Sequence, residues 1–95
     1  MKINKTQAKK LANKFKINLE KINLDYWLYG LNVELEHGKK FGAITNITND
    51  NLDITAKIVI AHLIEFPDYY ERLMKLEYKA DLYWKKHKKT SIFIE

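Results

Sequence analysis

Residues 52–66, LDITAKIVIAHLIEF, decide the fold. At about 100° per residue, Ile54, Ala56, Ile58, Val59, Ile60, Ala61, Leu63, Ile64 and Phe66 fall on nearly every side of a helical wheel. A helix that is apolar all round is usually buried, so the stretch predicts a central helix with the other elements packed around it. Its polar residues are then the ones that need explaining. His62 and Glu65 share a face with Ile54, Ile58 and Ala61 and continue an apolar stripe.

Working outward, Pro67 ends this helix and opens another, because proline is tolerated in a first helical turn. Tyr69, Leu73, Leu76, Ala80 and Trp84 are the expected inner face of that last helix, which fades in KKHKK near residue 89. Upstream, residues 39–50 (KKFGAITNITND) read as a polar loop with Asp50 capping the central helix. Before the loop, Leu24, Trp27, Leu28, Leu31 and Leu35 mark a helix over about 24–37 that Gly38 would stop in a left-handed conformation. A first helix starts with Thr6 as N-cap and buries Ala8, Leu11, Ala12 and Phe15. Between these two, Ile17, Leu19 and Ile22 are expected to tuck beneath the first helix, and SIFIE at the C-terminus is expected to be an extended tail. The prediction is an all-α, compact four-helix single domain over residues 1–95, with a buried third helix and a short extended C-terminal tail.

Composition narrows the chemistry. The chain has no cysteine, so thiolate metal sites and disulfides are excluded, and any metal would need His and carboxylate ligands. No stretch has the ~18 apolar residues of a membrane span, and the charged N-terminus MKINKTQAKK does not read as a signal peptide. The expectation is a cytoplasmic protein with no membrane partner. The net charge is +5, yet Arg72 is the one arginine among 17 basic residues. Arginine supplies the bidentate contacts of sequence-reading nucleic-acid proteins, so this charge points to weak, sequence-blind attraction at most. That attraction would centre on Lys85, Lys86, Lys88 and Lys89, within a basic extension over residues 85–95.

Two pairs carry the candidate chemistry. Glu34 and His37, in VELEHG (residues 33–38), are spaced i, i+3, and so are His62 and Glu65. Burying an ionised carboxylate without a partner costs several kcal/mol, so these groups must be paired, liganded or exposed. The first reading is a hydrogen-bonded polar cluster of Glu34, His62, Glu65, Tyr69 and Tyr70 that fixes helix register and needs no cofactor. The second is a metal site, because Glu/His pairs one turn apart on facing helices hold metals in helical bundles. Glu34, His37, His62 and Glu65 would then supply nitrogen and oxygen ligands for zinc, iron or manganese. Glu77 is a weaker fifth candidate, since pivoting at Pro67 leaves it roughly 7 Å along the axis from the pair at about 1.5 Å per residue. Acid–base catalysis comes last, with no nucleophile, phosphate-binding glycine loop or evident cleft beside the cluster.

VELEHG, the loop residues Thr45, Asn46, Thr48 and Asp50, and HLIEFPDYY (residues 62–70) together resemble a family of small helical domains of unknown function. Thr55, Lys57, Ile58, Leu73 and Glu77 also match its pattern, and the resemblance covers about residues 6–80. It implies an all-helical domain of a kind found in bacteria, tailed phages and large DNA viruses, and no established activity. The function expected from the whole sequence is a small non-enzymatic accessory protein of viral or phage type, working in the host cytoplasm or virion. It would act by protein–protein binding, as a virion component or an inhibitor of a host system. A metal-binding helical protein and a non-specific nucleic-acid binder are the rivals.

Overall fold

The computed structural model describes residues 1–89, together with Ile92 and Ile94. It contains α1 (Lys5–Lys14), α2 (Leu24–Leu35), a 3-10 turn at Lys39–Phe41, α3 (Leu52–Glu65) and α4 (Tyr69–Lys86), with no strand among the described residues. The chain is a single all-α domain. Of the expected extended tail over residues 91–95, only Ile92 and Ile94 are described, and both are exposed.

Asn4, rather than Thr6, starts α1. Its side-chain oxygen accepts from the Gln7 amide at 2.9 Å, and the Gln7 side chain accepts from the Asn4 amide at 3.0 Å, so two orphan donors are satisfied reciprocally. The Asn32 side chain on α2 then clamps the strand-like entry. It accepts from the Ile3 amide at 2.8 Å and donates to the Ile3 carbonyl at 2.9 Å, which holds Ile3 in the core. At the other end, Lys16 adopts φ 57° while the Ile17 amide reaches back to the Ala12 carbonyl at 2.8 Å. This is the glycine-type helix stop made by a lysine, in a left-handed conformation that favours glycine.

The hub is α2, not α3. Its Trp27, Gly30, Leu31, Glu34 and Leu35 are all buried, and it packs against α1, α3 and α4. Trp27 is fully enclosed, and its indole N–H donates to the Ala8 carbonyl at 2.8 Å. The α3 helix buries only Thr55, Ala56 and Val59 fully, against α2 and α4, while Ile64 is 80% exposed and Ile54 is exposed as well. The expectation of burial all round therefore fails on one side of α3. Periodicity says which residues favour burial, but a chain this short has too few elements to surround a helix.

Two boundary expectations are also corrected. Asn51, not Asp50, caps α3, its side chain accepting from the Ile54 amide at 2.9 Å. The Asp50 carboxylate instead accepts from the Lys39 amide at 2.9 Å and pins the loop after α2. Gly38 has φ −93°, so it is not a left-handed stop. A Cβ there would stand 2.0 Å from Asp50 Oδ1, so glycine is required by space rather than by φ.

The largest departure is in α4. Tyr70 is buried, Tyr69 and Leu73 are partly buried, and Glu77 is the last residue of the helix that is not exposed. Leu76, Ala80 and Trp84, expected on an inner face, are exposed. With 18 residues against 12, α4 is longer than α2 by about 9 Å, nearly two turns, and nothing among the described residues covers its far end.

Candidate functional site

Three helices meet at Glu34. It lies on α2, is 3% exposed, and its Oε1 accepts from the Tyr70 hydroxyl of α4 at 2.8 Å. His62 of α3 places Nδ1 3.1 Å from the same Oε1 and 3.0 Å from the Tyr70 hydroxyl oxygen. With the tyrosine proton directed at the carboxylate, Nδ1 faces two oxygen acceptors and must itself carry a proton. Nε2, on the other side of the ring, makes no hydrogen bond among the described residues. Tyr69 stacks on the imidazole with centroids 4.3 Å apart and planes 11° from parallel, fixing the plane of the ring.

The remaining carboxylate oxygen, Oε2, lies 3.7 Å from His37 Nε2, one turn further along at the mouth of the cluster. Gly30 lets the Tyr70 ring reach this position. A Cβ on Gly30 would stand 3.0 Å from the ring, so the tyrosine lies almost against the α2 backbone. Burial, and then the hydrogen bond to Glu34, push the Tyr70 phenol well above its ordinary range, because ionising it would set two anions side by side.

Glu77 does not join this cluster. It accepts a short hydrogen bond from Tyr29 of α2, whose phenol is also pushed up, first by burial and then by that bond. The Tyr29 and Tyr70 rings meet edge-on at 6.5 Å, so the two carboxylate–tyrosine pairs are neighbours along the α2–α4 seam. The sequence reading missed Tyr29. Its signal was the need of Glu77, on the flank of an apolar stripe, for a donor from the facing helix.

Of the candidate residues, the fold brings together Glu34, His37, His62, Tyr69 and Tyr70. Glu65 stays outside: it is exposed, and its side chain makes no hydrogen bond among the described residues. Likewise, no group of three or more His, Asp or Glu side chains among the described residues is placed to hold a metal ion. Of the expected ligand set, Glu34, His37 and His62 lie together and Glu65 stands apart from them. Glu34 Oε1 accepts from the Tyr70 hydroxyl and lies 3.1 Å from His62 Nδ1, so this oxygen is engaged with both neighbouring helices. What the site can do is hold three helices in one register and present a single oriented imidazole edge at the surface.

Lys85, Lys86, Lys88 and Lys89 are exposed at and beyond the end of α4. Trp84, expected on the inner face, is 40% exposed, Tyr83 beside it is 51% exposed, and the Lys89 ammonium lies 6.0 Å from the Trp84 ring centroid. No helix of the described residues is long and apolar enough to cross a membrane.

No curated protein and no solved structure matches this chain. A family described as a protein of unknown function, DUF5661, matches residues 8–79, a span that holds all four helices in part or whole, the Glu34–His62–Tyr70 cluster and the loop pinned by Asp50. The chain belongs to the DUF5661 family.

Proposed function

We propose that this chain is a non-enzymatic accessory module, of viral or phage type, that acts by docking on another protein chain. The observation that carries the reading is the far end of α4. From Tyr78 to Lys86 every residue is exposed, yet the segment is helical and carries Tyr78, Leu82, Tyr83 and Trp84, with Leu76 just before it. Helical segments shorter than about 12–15 residues are marginal in water without tertiary support. An apolar, aromatic helical end projecting beyond its own bundle is the shape of an element completed by a partner. By contrast, Glu34 Oε1 is engaged by Tyr70 and His62 within the fold, and Oε2 lies 3.7 Å from His37 Nε2, which suits a structural duty better than catalysis.

Site-specific photo-cross-linking tests this. A photoreactive residue at Tyr83 should give discrete protein adducts, whereas one at Lys9, exposed on α1, should not. Identical adduct patterns from the two positions would refute docking through α4.

A second reading has its own support, because Tyr83 and Trp84 are exposed beside Lys85, Lys86, Lys88 and Lys89. Bases stack on aromatic rings while lysines neutralise phosphates, so weak, sequence-blind binding to single strands is the form this would take. A mobility-shift titration at low and physiological salt separates it from protein docking. Phosphate-driven binding falls by roughly 0.7–0.9 log units per log unit of salt for each phosphate neutralised.

A further inference from the structure

We infer that the corner between α3 and α4 is a peptide seat, which takes one apolar side chain of a partner with an aspartate or glutamate beside it. That the partner is a protein chain rests on the docking reading above, but the seat lies at the opposite end of α4 from Tyr83. It is a surface hollow of about 210 Å³ lined by Phe66, Tyr69, Arg72, Leu73 and Leu76. Arg72 is its one charged group and also the one arginine of the chain.

The bundle holds this seat in shape by itself. Phe66 leaves α3 in an extended conformation (φ −154°), its carbonyl accepts from the Tyr69 amide at 3.0 Å, and Pro67 stiffens the turn between them. The Tyr69 ring is stacked on His62 with centroids 4.3 Å apart and meets Tyr70 edge-on at 4.9 Å. One wall of the hollow is therefore held by the Glu34 cluster. The Arg72 guanidinium lies over the Phe66 ring, 4.6 Å from its centroid, which keeps the charge at the rim. A pre-organised seat loses less binding energy to the ordering of side chains.

The groups left unused define the ligand. Neither the Arg72 side chain nor the Tyr69 hydroxyl makes a hydrogen bond or ion pair among the described residues. Guanidinium donors lie in its plane as a fork that matches a carboxylate, so contact through the face with Phe66 leaves them available. An apolar floor with a single cation at its rim is complementary to an apolar side chain whose neighbour is acidic. The volume suits one side chain, being below the roughly 300–1,000 Å³ of small-molecule pockets. A second hollow shares Arg72 and Leu76 but is lined by both signs of charge, Asp68 and Glu71 against Lys75 and Lys79. The unopposed positive charge is confined to the corner.

The probe is a capped tetrapeptide, leucine followed by aspartate between two glycines, titrated into the isotope-labelled full chain and followed by amide chemical shifts. One anchored side chain and one charged contact give millimolar affinity or weaker. Saturable shifts should centre on Phe66, Tyr69, Arg72, Leu73 and Leu76. Replacing the peptide's aspartate by asparagine, or its leucine by alanine, should weaken binding about fivefold or more. Arg72→Lys keeps the charge but loses the fork, so it should weaken the aspartate peptide as well. Arg72 is exposed, so this variant should unfold at the wild-type urea midpoint. Absence of saturable shifts at the corner overturns the inference. So does equal binding of the aspartate and asparagine peptides, or undiminished binding to Arg72→Lys. Shifts centred on Lys85, Lys86, Lys88 and Lys89 overturn it too, being the mark of charge attraction alone. None of these results touches docking through the far end of α4, which the adducts from Tyr83 decide.

Discussion

Replacing Tyr70 by Phe removes one hydroxyl and little else. The ring keeps its place against Gly30, its edge-on contact with Tyr29 and its burial, so packing is held constant. Glu34 Oε1 loses its 2.8 Å donor and keeps His62 Nδ1 at 3.1 Å. A hydrogen bond to a charged group is worth about 1.5–3 kcal/mol. Leaving a buried charge wholly unpaired costs about 3–5 kcal/mol, but His62 remains, so the upper range does not apply. The expected loss is therefore about 2 kcal/mol, a large share of the ~5–10 kcal/mol available to a domain this small. Urea unfolding followed by circular dichroism should show a lower midpoint with an unchanged slope, since the surface exposed on unfolding is the same. Tyr69→Phe is the control, because the Tyr69 hydroxyl bonds to nothing among the described residues, and it should change stability by under about 0.5 kcal/mol. If Tyr70→Phe were as mild as its control, the idea that this hydroxyl satisfies a buried carboxylate would be wrong. A double-mutant cycle with His62→Ala should then show coupling of about 0.5–3 kcal/mol, since both residues share one oxygen.

Other consequences follow from the same geometry. Lys16→Gly should raise stability by about 0.5–1 kcal/mol in the same unfolding assay, because Lys16 holds φ 57° at a position that glycine adopts without strain. Gly38→Ala should lower it by roughly 2 kcal/mol or more, since a Cβ 2.0 Å from Asp50 Oδ1 displaces the carboxylate that caps the Lys39 amide. At alkaline pH, the Tyr29 and Tyr70 phenols are raised above the unfolded value of about 10, so their contribution is full below that pH and is lost as pH rises through their folded values. Tyr70→Phe should flatten the alkaline loss of stability measured by thermal melts against pH. An equally steep decline in the variant would contradict the assignment.

Helix order, the α2 stripe and the need for a polar cluster were legible in the sequence because they rest on periodicity and on the cost of burying charge. Glu34 and His62 lie on different helices, yet Glu34 flanks the Leu31/Leu35 stripe and His62 continues that of α3, so each needed a partner if buried. Glu65 was misplaced because a helical wheel assigns a face without knowing where the facing helix stops. His62 meets α2 and Tyr69, and Glu65 lies exposed at the last turn of α3. The caps at Asn4 and Asn51 were missed for a related reason. Thr6 and Asp50 are equally good capping types, and only the long-range anchors, Asn32 on Ile3 and Asp50 on Lys39, decide between neighbours. The exposed end of α4 was illegible because its stripe is as regular as that of a buried helix. Sequence shows that a face wants a partner, not whether the same chain supplies one.

The central claim is that the bundle ends at Glu77 and that the rest of α4 awaits another chain. Residue-resolved amide hydrogen exchange on dilute protein tests it most directly. Protection should be near that of global unfolding from about Leu73 to Glu77 and should drop sharply by Ala80, leaving Lys79–Lys86 close to unprotected rates. Uniform protection along the whole of α4 in dilute solution would contradict the account, since the outer half would then be stable with no partner at all.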